Sequence, residues 1–156
     1  MADKILVCDF GSQTNRLIAR RIIEMGVKCE LIDHEHIAAH LDDSDVKGII
    51  FSGGPHSVYE EGAMMIDPIV YESGLPILGI CYGMQMMTYQ QGGVVKAGHS
   101  KEYGKTAMTL IESSQLTHGM SSNTQVWMSH GDHVSVLAPG FKAKAYSYNT
   151  PFALIE

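Results

Sequence analysis

The chain has 156 residues, of which 45% are hydrophobic and 18% charged, with a formal net charge of −6 at pH 7. That size and balance describe one globular domain with a buried core and exclude a disordered or fibrous chain. With 11 Lys and Arg against 17 Asp and Glu, and no basic cluster, there is no electrostatic footprint for nucleic acid, which leaves small molecules or proteins as partners.

Lys4-Ile5-Leu6-Val7-Cys8-Asp9 is a nearly continuous apolar run ending in an acid, the pattern of a buried parallel strand. A helix is expected from about 13 to 25, with Leu17, Ile18, Ile22 and Met25 on its apolar face and Gly26 as its stop. A second strand, residues 27–32, leads through an acidic stretch containing histidines to a third, Gly48-Ile49-Ile50-Phe51, which runs directly into Ser52-Gly53-Gly54-Pro55. The spacing then predicts a helix around 63–73, a short apolar strand over 75–80, and a helix over 84–91 closed by Gly92-Gly93. Such alternation predicts an α/β fold with a doubly wound, mostly parallel sheet and active groups at the carboxyl ends of its strands. From Lys105 onward the texture changes to β-like runs at 106–111, 125–128, 142–148 and 152–155, a small additional β region in the C-terminal third.

Cys8, Cys29 and Cys81 are an odd number with no C-x-x-C spacing, so neither a disulfide framework nor a zinc knuckle is indicated, and a reducing cytoplasm is expected. The brief apolar run at residues 5–7 lacks the long core of a signal peptide. The apolar stretch around 75–89 is interrupted by Pro76, Gly79, Gly83 and Gln85, which excludes a membrane-spanning helix there.

Between the last predicted strand and helix of the α/β part lies Gly79-Ile80-Cys81-Tyr82-Gly83. Gly-x-Cys-x-Gly at a strand-to-helix turn describes a nucleophile elbow, in which a strained backbone exposes the side chain and the glycines let strand and helix pass. Cys81 is therefore the candidate nucleophile, its thiolate expected to be favoured by the helix N-terminus, whereas Cys8 and Cys29 read as buried core thiols. Acyl transfer needs oxyanion donors. The elbow supplies the Tyr82 backbone N–H, and Gly54, at the end of a neighbouring strand, is the candidate for the second. Gln85 lies one helical turn after Cys81, where its amide could face the same pocket.

A cysteine nucleophile also needs a general base, usually one of the chain's eight histidines. His130 and His133 fall in a stretch that reads as a polar loop, Trp127-Met128-Ser129-His130-Gly131-Asp132-His133, and are plausible pocket residues. His34, His36 and His40 beside Asp42, Asp43 and Asp45 could suggest a metal, but the pattern reads as a solvated acidic segment and no metal site is assigned. His56, His99 and His118 read as loop residues.

With these residues assembled, the chain resembles the triad, or class I, glutamine amidotransferases, and among them the amidotransferase domain of the GMP synthases. The resemblance runs through Asp9-Phe10-Gly11-Ser12-Gln13, Ser52-Gly53-Gly54-Pro55, the elbow through Gln85, Glu102-Tyr103-Gly104, and Val126 to Asp132. It implies a flavodoxin-like sheet and attack of Cys81 on the side-chain amide of glutamine through a glutamyl thioester. The released ammonia would pass to an ATP-pyrophosphatase domain or subunit that aminates XMP to GMP. It also implies Gly54 and Tyr82 as oxyanion donors, and Gln85, Ser129, Gly131 and Asp132 as the surroundings of the glutamine. No cofactor is implied in this domain, since ATP and Mg belong to the synthetase partner.

One departure matters. The family's catalytic histidine and glutamate lie in a His-Pro-Glu segment after a strand resembling residues 151–155, and these 156 residues contain no His-Pro-Glu. Neither Glu156 nor His130 matches a triad position. The expectation is a C-terminally incomplete amidotransferase domain over residues 1–156, without the synthetase domain, and weak or inactive alone. The rival readings are an amidotransferase of another pathway, a PfpI-related cysteine hydrolase, and a noncatalytic module that binds a synthetase partner.

Overall fold

The computed structural model describes residues 2–156 except for the side chains of residues 99–102, so the expectations for His99 and Glu102 lie outside the described residues. The chain divides into two compact units, Met1–Gln90 and Gln91–Glu156.

The first unit is built on strands β1 (Lys4–Asp9), β2 (Lys28–Asp33), β3 (Val46–Phe51) and β4 (Ile77–Gly79), with helices α1 (Asn15–Glu24) and α2 (Tyr82–Gln90). All strand pairs are parallel and the order is β2-β1-β3-β4. Inside the sheet, β1 has neighbours on both sides, and its Leu6, Val7 and Cys8 are fully buried. That is why its sequence reads as a continuous apolar run rather than an alternation. Strand β2 lies at the edge, and Cys29 on it is only half-buried, which corrects its expected place in the core.

Two helical expectations change. Helix α1 buries Asn15, Ala19 and Ile22, while Leu17 and Met25 are 59% and 73% exposed, so its inward stripe is rotated from the predicted one. A polar residue and a small one, Asn15 and Ala19, share that stripe with Ile22, which a count of large apolar side chains misses. The helix expected at 63–73 shrinks to a single 3₁₀ segment, Pro68–Glu72. Pro68 cannot extend a helix backward, and Asp67 caps the start through a 3.0 Å bond from the Ile69 N–H to its Oδ1.

The second unit is an antiparallel sheet of β5 (Val94–Leu110), β6 (Asn123–Val136), β7 (Ala143–Ser147) and β8 (Leu154–Ile155), in the order β6-β5-β7-β8. Met108, Ala145 and Ser147 are buried, and Tyr103, Trp127 and Tyr146 are exposed, so the residues alternate between faces. The fold class is α/β, with a parallel sheet and a separate antiparallel one. Strands β5 and β6 are longer than predicted and β7 and β8 shorter, and 127–133 is part of β6, not a loop. Its turn-favouring residues are held extended by pairing, Ser129 opposite Tyr103 and Asp132 opposite Ala97, with the register shifting between Ala97 and Glu102.

Among the described residues no helix is long and apolar enough to cross a membrane.

Candidate active site

Cys81 stands between β4 and α2 with φ of 52°, the one non-glycine residue at positive φ among those described. A left-handed backbone at a side-chain-bearing residue stores strain, and the surrounding bonds enforce it. The Ile80 N–H donates to the Phe51 carbonyl at 2.9 Å, fixing the chain before the turn to β3. After the turn, the Gln85 N–H donates to the Cys81 carbonyl at 3.0 Å and so starts α2. The flanking glycines are required sterically. A Cβ on Gly79 would stand 2.7 Å from the Met84 amide nitrogen, and one on Gly83 would run into the carbonyl oxygen of Phe51. One glycine therefore admits the helix and the other admits the strand.

Residues 52–54, at the carboxyl end of β3, come next to this turn: a Cβ on Gly53 would lie 3.5 Å from that of Cys81. Ser52 is fully buried, and its Oγ donates to the Cys8 carbonyl at 2.7 Å, tying the end of β3 to β1. Gly54 is pressed against the segment after β1, where an added Cβ would meet the Phe10 carbonyl oxygen at 2.6 Å. Asp9 shapes that segment by accepting from the Gly11 N–H at 2.7 Å. Beneath the elbow, Phe10 packs on Phe51 and Tyr82, with ring centroids 6.1 and 5.3 Å apart.

The Cys81 thiol is solvent-exposed in the folded chain, but the protein around it displaces enough water to push its pKa above the ordinary value. That direction is opposite to the lowering expected from the helix N-terminus. Cys8, fully enclosed and beside Asp9 and Asp33, is pushed up to about 12 by burial and then by those carboxylates.

Of the other residues singled out from the sequence, Gln85 is buried in α2 rather than exposed. Ser129, Gly131 and Asp132 lie in the second unit on β6. His130 is in the same strand, its Nδ1 2.7 Å from the Asp132 carbonyl oxygen. His34, His36 and His40 each lie beside an acid, the closest pair being His40 Nδ1 and Asp43 Oδ2 at 2.9 Å. Among the described residues no three His, Cys, Asp or Glu side chains converge as a metal site.

Sequence reasoning did not single out the hydroxyls of Ser52 and Tyr82, nor Gln90. Buried Tyr82 donates its hydroxyl to the Met64 carbonyl. Gln90 bonds Ile66 in both directions, its Nε2 donating to the Ile66 carbonyl at 2.8 Å and its Oε1 accepting from the Ile66 N–H at 3.4 Å. The only sequence signal was a polar amide closing a largely apolar helix.

The family model for glutamine amidotransferase class-I matches residues 6–156. The chain is 51% identical over 154 residues to GMP synthase [glutamine-hydrolyzing] of Enterococcus faecalis, and 50% identical over 155 residues to that of Latilactobacillus sakei. In both cases the match covers 99% of this chain and 30% of the relative, so the chain spans about a third of the length of these proteins. The solved structure of a candidate GMP synthase component from Thermoplasma acidophilum superimposes with a TM-score of 0.84 at 26% identity, covering all of this chain and 78% of that one. A glutamine amidotransferase from Thermotoga maritima shares the fold, with a TM-score of 0.75 at 19% identity over 96% of this chain and 69% of its own.

Proposed function

We propose, because this chain belongs to the class-I glutamine amidotransferases, that Cys81 is the nucleophile that takes the side-chain amide of glutamine apart. The observation that carries the reading is the elbow itself: an exposed thiol on a left-handed residue between a parallel strand and a helix. The sulfur attacks the amide carbon, the carbon–nitrogen bond breaks, and the nitrogen leaves as ammonia after gaining a proton. Water then hydrolyses the glutamyl thioester to glutamate and regenerates the thiol. The backbone N–H groups of Gly54 and Tyr82 are assigned to the developing oxyanion. Gln85, Ser129, Gly131 and Asp132 are assigned to the glutamine, an assignment supported by the order of their motifs in the chain.

The relatives named as glutamine-hydrolysing GMP synthases support a further step. Ammonia passes to an ATP-pyrophosphatase domain or subunit, which uses ATP and Mg to activate XMP and aminates it to GMP. The same names weigh against an amidotransferase of another pathway and against the PfpI-related reading. Three unpaired thiols suit a cytoplasmic protein.

The raised thiol calls for a base, and these 156 residues contain no His-Pro-Glu segment. Loss of a triad member costs several orders of magnitude in rate, the remainder coming from binding and the oxyanion hole. Glutamate release from glutamine by this chain should therefore be slow and vanish in Cys81→Ala. Release measurably above the uncatalysed background that continues at the same rate in the alanine variant would refute the assignment.

A further inference from the structure

The longest stretch of the first unit without helix or strand is residues 52–67, which holds the proposed oxyanion donor Gly54 as its third residue and ends at the 3₁₀ segment. A connection of this length with no regular structure has to be fastened by side chains if its first residues are to hold a fixed geometry. Val58 and Ile66 are buried along it. Its far end is bonded to the helix that begins at the other proposed donor. The Tyr82 hydroxyl reaches the Met64 carbonyl from the first residue of α2, and Gln90 grips both polar backbone groups of Ile66 from the last. Gln90 Oε1 also accepts from the Tyr71 hydroxyl at 2.7 Å, and the Tyr71 ring stands edge-on to Phe51, at the end of β3, with centroids 6.1 Å apart.

Both proposed donors are thus joined through one path: Gly54, the loop, Met64 and Ile66, then α2 to Tyr82. We propose that Gln90 and the Tyr82 hydroxyl are positioning residues for the oxyanion hole, holding the loop against α2 so that the Gly54 and Tyr82 N–H groups converge on one point. This rests on the reading of Cys81 as the glutamine nucleophile. Neither side chain touches the reacting atoms. They act through the loop, and a displacement of a donor by a fraction of an ångström is enough to weaken its bond to the oxyanion.

The test compares two reagents on the same thiol. A chloromethyl ketone with the side-chain geometry of glutamine passes through a tetrahedral oxyanion before the sulfur displaces chloride; iodoacetamide is attacked by direct displacement with no oxyanion to hold. The ratio of the ketone's rate at saturation to the iodoacetamide rate at Cys81 therefore reads the oxyanion hole apart from binding of the ketone, and it cancels changes in thiol ionisation. In Gln90→Leu and in Tyr82→Phe the ratio should fall about ten-fold, with the iodoacetamide rate within about two-fold of the parent. Gln90→Glu keeps an acceptor for Ile66 N–H and Tyr71 but loses the donor at neutral pH. It should lower the ratio there and regain it as the carboxyl protonates, a pH response that a general loss of packing would not give. Ratios unchanged in Tyr82→Phe and Gln90→Glu, with parental thermal stability, overturn the proposal even if Gln90→Leu fails to fold. A parent chain whose Cys81 shows no preference for the ketone would instead bring down the nucleophile assignment, and this inference with it.

Discussion

Cys81 combines two properties that pull apart stability and chemistry. Its φ of 52° is one that a residue with a Cβ adopts at a cost of about 1–2 kcal/mol, and the two glycines flanking it leave the strand and helix no room to relax that turn. Cys81→Gly removes the strain while Cys81→Ala keeps it, so the glycine variant should be more stable than the alanine variant by about 1 kcal/mol. Chemical denaturation of the pair measures this, and equal stabilities would mean that the turn is not strained. The thiol's displacement above its ordinary value of 9.0 gives a second expectation at this scale. Because the reactive species is the thiolate, alkylation of Cys81 should keep accelerating with pH beyond that value, with its midpoint on the alkaline side. A midpoint in the acidic or neutral range would reveal a proton acceptor or cationic partner.

The elements show which parts of the sequence could be read locally and which could not. The elbow was legible because its requirement is local: two glycines spaced around one residue at a strand-to-helix junction serve a turn in which strand and helix backbones nearly touch. The buried face of α1 was not, since Leu17 and Met25 outweigh Ala19 in hydrophobicity yet point away from the sheet. That difference is measurable. Ile22→Ala should cost about 2–4 kcal/mol, while Leu17→Ser should change stability by no more than about 0.5 kcal/mol; a Leu17→Ser cost as large as that of Ile22→Ala would restore the face first expected from the pattern, which held both residues. Strand β6 was misread because Ser129, His130, Gly131 and Asp132 favour turns locally and become extended only through their partners on β5. Gln90 could not be recognised either, because its three bonds go to Ile66 and Tyr71, residues distant in the chain.

At the scale of the molecule, the proposed machinery is distributed over two units. The nucleophile, its oxyanion donors and Gln85 belong to Met1–Gln90, and Ser129, Gly131 and Asp132 to Gln91–Glu156. The α/β class followed from the alternation of strands and helices up to the elbow and the family from motifs strung along the chain, and the family match extends over residues 6–156. The relatives are about three times longer than this chain, and the amination of XMP is proposed for the whole assembly, with glutamine cleavage as this chain's share. Rapid Cys81-dependent glutaminase turnover by the 156 residues alone would contradict the requirement for a separate base.

The central claim is that one thiol of three is built to attack glutamine, and the three environments differ enough to be told apart. Cys8 is fully buried with its thiol pushed up to about 12, Cys29 is half-buried and also raised, and Cys81 is exposed on the elbow. Peptide mapping by mass spectrometry after treatment with the glutamine-shaped chloromethyl ketone tests the claim most directly. The account predicts a single thioether on Cys81, formed more slowly when glutamine competes. Modification of Cys29 or Cys8 in its place, or labelling of Cys81 that glutamine does not slow, would contradict it.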